Sequence, residues 1–368
     1  MKSDRRLFAA LIASALLLTS AAHAAPRPIV AGQQIVLEFP STAMQGATVG
    51  GAYVMQTNLQ NPAGGHFRIY FEEISGDTTN FDVEIIGIGG VLSTISGADF
   101  LDPNNDGKYG SDSVVGSDIA VRVIAPQQPG NLKFKIARLA YEQIAGALLS
   151  VSGPDQRIKT ASLGTNDPKR IHARSVAKLL FTGPDGGEYL CTGFMISADR
   201  LLTNHHCLGV RSTCASAIAL FGYIDDATPV PPEQQVRCKR FLASDEDRDM
   251  AVVELAKPIG NTWGVLTLST APVKKFTKAY IPEHPSGRSQ EISVVDCTIG
   301  DTPVNGNAAG MDAAHLCDTE GGASGSPVID LATNQVIALH HLGFDDTGAF
   351  KALNRAVLIA RVKEKIPQ

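Results

Sequence analysis

The stretch CDTEGGASGSP, from Cys317 to Pro327, sets Ser324 among glycines and just before a proline. Glycines let the backbone approach a substrate closely and leave amides free to face it, as the turn around a catalytic nucleophile requires. The same residue types also fill ordinary turns, so this stretch alone does not distinguish a loop from an active site. A nucleophilic serine needs a histidine base and a carboxylate elsewhere in the chain.

Two further stretches contain such residues. LLTNHHC places His205 and His206 after an apolar run, and DRDMAVVEL places Asp249 at the start of another. Each alone fits a structural histidine or a capping carboxylate. Their order, His-Asp-Ser, differs from that of α/β-hydrolase esterases and of subtilisins and is the order found in chymotrypsin-like proteases. Ser326 also replaces the second glycine of the esterase G-x-S-x-G turn, which argues against an esterase.

The three stretches resemble the histidine, aspartate and serine motifs of trypsin-like serine proteases. The similarity is greatest to the bacterial glutamyl-endopeptidase branch, which has LLTN before its histidine and SGSP at its serine. The resemblance implies that Ser324 is the nucleophile and that Asp249 fixes the imidazole tautomer. It implies His206 as the base, because the family places its histidine immediately before a cysteine. The amides of Gly322 and Ser324 would form the oxyanion hole.

The resemblance also implies a specificity pocket, for which two features predict different substrates. Asp318 lies six residues before Ser324, where trypsin has its pocket aspartate, and a buried carboxylate there favours Lys or Arg before the cleaved bond. His340 and Thr319 match residues with which glutamyl endopeptidases hold an acidic side chain. The strand QVIALHHLG, which ends at Gly343, resembles the one that lines their pocket. We expect cleavage after Lys or Arg, with cleavage after Glu or Asp as the alternative.

Two departures from the family concern activation and the pocket loop. Trypsin-like zymogens activate when a new amino terminus pairs with an aspartate just before the serine, and that residue here is Ala323, which cannot form an ion pair. Any activation must therefore work differently. Glu320 fills the place of the cysteine that anchors the pocket loop in trypsin, so Asp318 can point elsewhere.

The first 24 residues have the pattern of a secretory signal peptide. Basic residues precede an apolar run from Leu7 to Leu18, and Ala22-His23-Ala24 supplies a cleavage site. The run is too short for a membrane span, so we expect a secreted protein, extracellular or periplasmic. The net charge of −5, without a long basic run, gives no indication of nucleic-acid binding.

All six cysteines lie in the C-terminal half, and an even number in an exported chain indicates disulfides. The sequence lacks the CxxC and HExxH patterns of zinc sites. The resemblance implies a Cys191–Cys207 bond, since these residues are spaced like the disulfide that braces the histidine loop of the family. The other four cysteines allow three pairings, of which Cys214–Cys238 with Cys297–Cys317 is our preferred set.

The chain of 368 residues is long enough for two domains. We predict a separate β-rich domain of the sandwich type over residues 25–150, because short runs such as Phe67, Ile69 and Phe71 alternate with other residues between turn signals. The polar segment 151–174 is expected to be a linker. Cleavage after Arg170 or Arg174 would make the N-terminal domain a pro-segment.

Residues 175–368 are mostly strands, and the resemblance implies a chymotrypsin-like double β-barrel. A helix that begins after Asn354 is expected to close it, because Leu358, Val362 and Ile366 are four residues apart. The fold class is therefore all-β.

The N-terminal domain contains one stretch with metal-binding chemistry. Asp102, Asn104 and Asp106 alternate before Gly107, as at the start of a calcium loop, but Ser113 stands where the bidentate glutamate belongs. An Asx-rich turn explains the stretch equally well. Catalysis itself is expected to need no cofactor.

Together these observations favour a secreted serine endopeptidase that acts on proteins or peptides through an acyl-enzyme. A catalytically inactive homologue that binds peptides is the first alternative. A secreted esterase with the same serine chemistry is the second, although the sequence lacks its nucleophile turn and lid-type apolar helices.

Overall fold

The computed structural model describes residues 29–61, 65–142, 149–151, 154–343 and 353–368. The predicted signal peptide lies outside these residues. Among the described segments, no helix combines the length and apolar character that a membrane span requires.

Residues 29–61 and 65–142 form mostly strands, and more and less buried side chains alternate along segments such as 82–86 and 92–96. Two antiparallel sheets, in the orders β3-β4-β10-β6-β7 and β2-β11-β5-β8 with β9 beside β5, enclose a core that includes Phe71, Phe100 and Phe134 in edge-to-face contact. The predicted sandwich is confirmed. The elements are β1 Ile29–Val30, β2 Gly32–Pro40, β3 Gln45–Val49, β4 Ala52–Gln60, β5 His66–Ser75, β6 Asp82–Gly87, β7 Gly90–Ser96, α1 Gly97–Phe100, β8 Tyr109–Gly110, β9 Val114–Val115, β10 Asp118–Ala125 and β11 Lys133–Glu142.

The segment that we predicted as a linker packs against the C-terminal half. Leu149–Ser150 (β12) pairs with Thr319–Glu320, and Ile158–Lys159 (β13) pairs with Glu291–Ile292. Helix α2, Pro168–Ala173, starts at Asp167, whose carboxylate accepts a hydrogen bond from the amide of Lys169. Segment 151–174 therefore contains one strand, β13, and the helix α2, and β12 lies directly before it.

The next strands close into a six-stranded barrel in the order β15-β14-β17-β18-β19-β16, because β16 pairs with both β15 and β19. Strand β1 extends this sheet beside β15. The elements are β14 Val176–Thr182, β15 Glu188–Met195, β16 Arg200–Thr203, α3 His205–Leu208, α4 Arg211–Ser216, β17 Ile218–Leu220, β18 Gln235–Asp245, β19 Met250–Leu255 and α5 Gly260–Trp263.

The last strands form a second barrel in the order β13-β21-β20-β24-β25-β26-β22. Bridges from Lys278 to Thr298 and from Ile299 to His315 join its two sides. The elements are β20 Ala279–Glu283, β21 Glu291–Ser293, β22 Asp312–His315, β23 Thr319–Glu320, β24 Pro327–Asp330, β25 Val336–Leu342, β26 Asn354–Leu358 and α6 Ile359–Lys363. A double β-barrel preceded by a sandwich is the fold class that we predicted.

The predicted start of the terminal helix is wrong. Residues 354–358 form β26, which lies between β22 and β25, and the helix begins only at Ile359. The spacing of Leu358, Val362 and Ile366 suits a helix, but pairing with two buried strands outweighs the local preference at the start of this segment.

The sandwich and the first barrel share a polar interface. The hydroxyl of Tyr70 donates to Glu188 at 2.6 Å, and Arg68 donates to the carbonyl of Ser216 at 2.9 Å. The side chain of Gln235 accepts from the amide of Ser113 and donates to its carbonyl, both at 2.8 Å. Because these partners are buried or half-buried, the two domains are joined by more than the covalent chain.

Candidate active site

His206 lies on the short helix α3, directly after β16. The disulfide between Cys191 and Cys207 ties this helix to β15. The ring of His206 donates from Nδ1 to Oδ2 of Asp249 at 2.8 Å, and its backbone amide donates to Oδ1 at 3.0 Å. An ionised carboxylate only accepts hydrogen bonds, so this contact fixes the tautomer that leaves Nε2 of a neutral ring as an acceptor. That nitrogen can take a proton.

Asp249 lies at the end of the turn before β19 and has a φ of 41°. Asp tolerates this left-handed backbone better than most residues. The side-chain amide of Asn204 donates a hydrogen bond to the backbone carbonyl of Asp249 at 2.8 Å. Burial by itself raises the pKa of the Asp249 carboxyl, but the imidazoles of His206 and His341 outweigh that effect and hold the pKa well below its usual range.

Ser324 lies in the turn between β23 and β24. Gly322 and Gly325 have φ angles of 98° and 89°, a region that favours glycine. A Cβ atom at Gly325 would collide with the carbonyl of Thr192, whose amide in turn donates to the Ser324 carbonyl at 2.8 Å. The turn is therefore built for glycine and is bound to the first barrel.

The amides of Gly322 and Ser324 donate to no acceptor in the described part of the chain. Neighbouring amides are used, since Ala323 donates to Glu320 and Gly325 donates to His340. Two unengaged amides that flank a serine nucleophile are what an oxyanion hole requires.

The structure thus brings His206 and Asp249 into direct contact. His205 is not paired in this way, since its Nδ1 has no hydrogen-bond partner among the described residues. Nε2 of His206 is buried and likewise makes no hydrogen bond within the described chain, so the structure does not join it to the Ser324 hydroxyl.

All three preferred disulfide pairings are present: Cys191–Cys207, Cys214–Cys238 and Cys297–Cys317. The last one precedes the nucleophile turn. The carbonyl of Cys317 also accepts from the side chain of Asn354 at 2.8 Å.

Two of the predicted pocket residues lie on β23 and β25, and the other two lie next to an end of these strands. Asp318 is buried, and its carboxylate accepts from the backbone amide of Gln156 at 3.0 Å. Thr319 is buried with its hydroxyl unbonded among the described residues. His340 is buried, and its Nδ1 lies 3.0 Å from Nε2 of His315. Gly343 is exposed at the end of the described segment.

Both histidines of this pair are uncharged at neutral pH. Burial lowers the pKa of His315 to about 3, and Arg355 and His341 add to this effect. Burial also lowers the pKa of His340 well below its usual value, and His315, His341 and His206 add to it. A substrate carboxylate would reverse this balance at His340.

Sequence reasoning missed an ion-pair network that holds the loop before Ser324. Glu320 binds Arg157 at 2.9 Å and Arg288 at 2.7 Å. Arg157 is 1% exposed and also contacts Asp155. Burial raises the pKa of Glu320, but hydrogen bonds from Arg288 and Arg157 outweigh this effect and hold the pKa below its usual value. Arg157 lies in the segment that the sequence predicts as a linker. The only sequence signal of the network was Glu320, which fills the place of the cysteine that anchors the pocket loop in trypsin.

It also missed His341. This side chain is fully enclosed and lies 3.1 Å from Oδ2 of Asp249 and 2.7 Å from Oδ2 of Asp312. The histidine doublet was the only sequence signal, and it could not indicate that Asp312 lies next to the second of the two.

Two places in the described segments bear on metal binding. Within the described segments, ligand atoms of His, Cys, Asp or Glu converge in one group, Cys191, His206 and Cys207, and its cysteines are joined in a disulfide. Asp102 and Asp106 lie in a turn in which the amide of Asn105 donates to the Asp102 carbonyl. The side chain of Asn104 is outside the described part, so calcium there stays a prediction.

Comparison with known proteins finds a family whose sequences resemble part of this chain. Residues 191–339 match the family described as "Trypsin-like peptidase domain". Secreted RxLR effector protein 73 of Plasmopara viticola is 27% identical over 210 residues, which cover 54% of this chain and 52% of that protein. The chain therefore spans about half the length of this curated relative.

Several solved structures are similar in shape. A Glu endopeptidase in complex with MPD shares 22% identity, with coverage of 58% of this chain and 96% of that one and a TM-score of 0.45. The active form of the Rv3671c protease from M. tuberculosis shares 18% identity, with coverage of 61% and 90% and a TM-score of 0.43. A serine endoprotease from Yersinia pestis shares 15% identity, with coverage of 55% and 65% and a TM-score of 0.42.

Proposed function

We propose that this protein is a secreted serine endopeptidase, because residues 191–339 match the family described as "Trypsin-like peptidase domain". The observation that carries the proposal is the contact of His206 with Asp249, at 2.8 Å, in a protein whose second barrel supplies Ser324 on a glycine turn. This combination supports nucleophilic catalysis by Ser324.

In the proposed reaction, Oγ of Ser324 attacks the scissile carbonyl while Nε2 of His206 accepts the hydroxyl proton. Asp249 stabilises the imidazolium that results. The amides of Gly322 and Ser324 donate to the oxyanion, and one such donor contributes roughly 3–4 kcal/mol in enzymes of this type. His206 then protonates the leaving amine, the acyl-enzyme forms, and water releases it by the same steps.

A fluorophosphonate probe tests this proposal without knowledge of the substrate. We expect covalent labelling at Ser324, located by mass spectrometry of the labelled peptide, and no labelling of Ser324→Ala. A wild-type protein that remains unlabelled would indicate the peptide-binding homologue instead. An esterase would hydrolyse esters but not peptide amides, which a comparison of matched ester and peptide substrates detects.

For the residue before the cleaved bond, we propose Lys or Arg. Asp318 supports this choice, because a buried carboxylate can form a charge-assisted hydrogen bond with a basic side chain. Glu and Asp are the second candidate, supported by the unbonded hydroxyl of Thr319 among the described residues and by the neutral His340–His315 pair. A substrate carboxylate would give His340 a reason to accept a proton.

A peptide library that varies only the residue before the cleaved bond separates the two. The proposal expects cleavage after Lys and Arg that falls selectively in Asp318→Asn, while cleavage after other residues is unchanged. Strong cleavage after Glu that is lost in His340→Ala, with none after Lys or Arg, would establish the second candidate.

Secretion is the remaining part of the proposal. Three disulfides are typical of proteins that fold in an oxidising compartment, the N-terminal sequence resembles a signal peptide, and the name of the curated relative describes it as secreted. Amino-terminal sequencing of protein from the culture medium or periplasm tests it, and a start near Ala25 is the expected result.

A further inference from the structure

Both ring nitrogens of His341 lie against carboxylate oxygens. Nδ1 is 3.1 Å from Oδ2 of Asp249, and Nε2 is 2.7 Å from Oδ2 of Asp312. Ionised carboxylates accept hydrogen bonds and do not donate them. Both contacts are therefore made only when both nitrogens carry hydrogen, which is the imidazolium form of His341.

The surroundings agree with a cation at this place. His341 and Asp312 are buried, and burial works against protonation, but the two carboxylates outweigh it and raise the pKa of His341 to about 9. The neighbouring imidazoles of His340 and His315 are neutral because their pKa values are lowered. Of the other titratable groups, His206 faces Asp249, and Arg355 on β26 acts on Asp312 and His315.

Oδ2 of Asp249 accepts from two imidazoles at once, His206 at 2.8 Å and His341 at 3.1 Å, while Oδ1 accepts from the His206 amide at 3.0 Å. The group Asp249, His341 and Asp312 carries a net charge of −1, the same as a lone aspartate. The imidazolium that forms on His206 during the reaction thus keeps its counter-charge, while the Asp249 carboxylate is held in a single orientation.

We propose that His341 and Asp312 are positioning residues of the active site: Asp312 holds His341, and His341 holds Asp249 for the base His206. This proposal rests on the serine endopeptidase function proposed above. Neither residue touches the reacting atoms. Residues that orient the ligand side chains of metal sites typically change activity about 10–100-fold when they are replaced, and we expect an effect of similar size here.

The pH dependence of the reaction with a fluorophosphonate gives a readout that a merely structural role would not change. Above the pKa of His341, one of its nitrogens loses its hydrogen and faces a carboxylate as an unprotonated atom, so Asp249 loses its support. We expect the wild-type rate constant to fall above about pH 9. In Asp312→Asn one of the carboxylates that raise the pKa of His341 is gone, so the fall should begin at lower pH.

In His341→Asn the side-chain amide donates to Asp249 at every pH. The rate constant at pH 7.5 should then be about 10–100-fold lower than that of the wild type, but the fall above pH 9 should be absent. His172→Asn, at a histidine of α2 whose Nδ1 lies against the Pro168 carbonyl, is the matched control and should behave as the wild type. Unfolding curves show whether each variant is folded.

An alkaline fall that is the same in wild type, Asp312→Asn and His341→Asn would overturn the proposal. A wild-type protein that does not react with the probe at all would instead contradict the proposed function. In that case a ¹⁵N NMR titration still tests the inference, because His341 should be doubly protonated at pH 7.5 and titrate near pH 9. A neutral His341 at pH 7.5 would refute the proposal. This titration uses the wild-type protein, so it also serves if Asp312→Asn or His341→Asn fails to fold.

Discussion

The guanidinium of Arg157 lies 2.9 Å from the carboxylate of Glu320, although the two residues are 163 positions apart in the sequence. Glu320 ends β23, directly before the loop that leads to Ser324, and the amide of Gln156 donates at 3.0 Å to Asp318, directly before the same strand. Ala323 carries no charge and cannot pair with a new amino terminus. The buried positive charge next to this loop is instead the guanidinium of Arg157.

Arg157→Ala should therefore destabilise the protein and lower its reactivity. Removal of one partner from a buried ion pair costs about 3–5 kcal/mol, and we expect a loss at the lower end of this range because Arg288 still binds Glu320. Urea unfolding and the fluorophosphonate rate constant measure the two effects. Arg361→Ala removes an exposed pair with Glu364 and should change the free energy of unfolding by less than about 1 kcal/mol. Equal behaviour of the two variants would contradict the role given to Arg157.

The contrast between Arg157 and the triad shows what the sequence could predict. His206, Asp249 and Ser324 lie in local motifs with a characteristic order, and the sandwich strands have a readable alternation. Arg157 gave no such signal, since its buried partner Glu320 follows it by 163 residues and a polar stretch resembles a linker. His341 and Asp312 meet only because β25 and β22 both pair with β26.

The prediction for the terminal segment was wrong for a related reason. Leu358, Val362 and Ile366 have helical spacing, and α6 does form. The residues from Asn354 to Leu358 join a sheet instead, because strands β22 and β25 on either side offer hydrogen bonds to both edges of this segment.

Cleavage of the chain after Arg170 or Arg174 should leave the N-terminal piece bound to the protease. The reason is that Tyr70, Arg68 and Ser113 all form hydrogen bonds with the first barrel. Size-exclusion chromatography of the cut protein should show both pieces eluting together, and amino-terminal sequencing identifies the cut. An N-terminal piece that separates while the protease keeps full activity would make it a dispensable pro-segment.

Removal of disulfides should separate stability from catalysis. Cys297–Cys317 and Cys214–Cys238 span 20 and 24 residues, so loss of either should cost about 3 kcal/mol of unfolding free energy by loop-closure entropy. Only Cys297–Cys317 leads into the nucleophile turn. We therefore expect paired Cys→Ala variants to lose similar stability, but only the Cys297/Cys317 pair to lower the fluorophosphonate rate constant in the folded state. A similar loss of rate in both would argue against a special role for this bond.

The central claim is that Ser324 is the nucleophile of peptide hydrolysis, and kcat/KM of Ser324→Ala on a peptide cleaved by the wild type tests it most directly. Ser326→Ala is the matched control, because the Ser326 hydroxyl is buried and makes no hydrogen bond among the described residues. We predict that Ser324→Ala lowers kcat/KM by about 10⁴-fold or more without loss of fold, while Ser326→Ala stays within about tenfold of the wild type. A Ser324→Ala protein that is as active as Ser326→Ala would contradict the account.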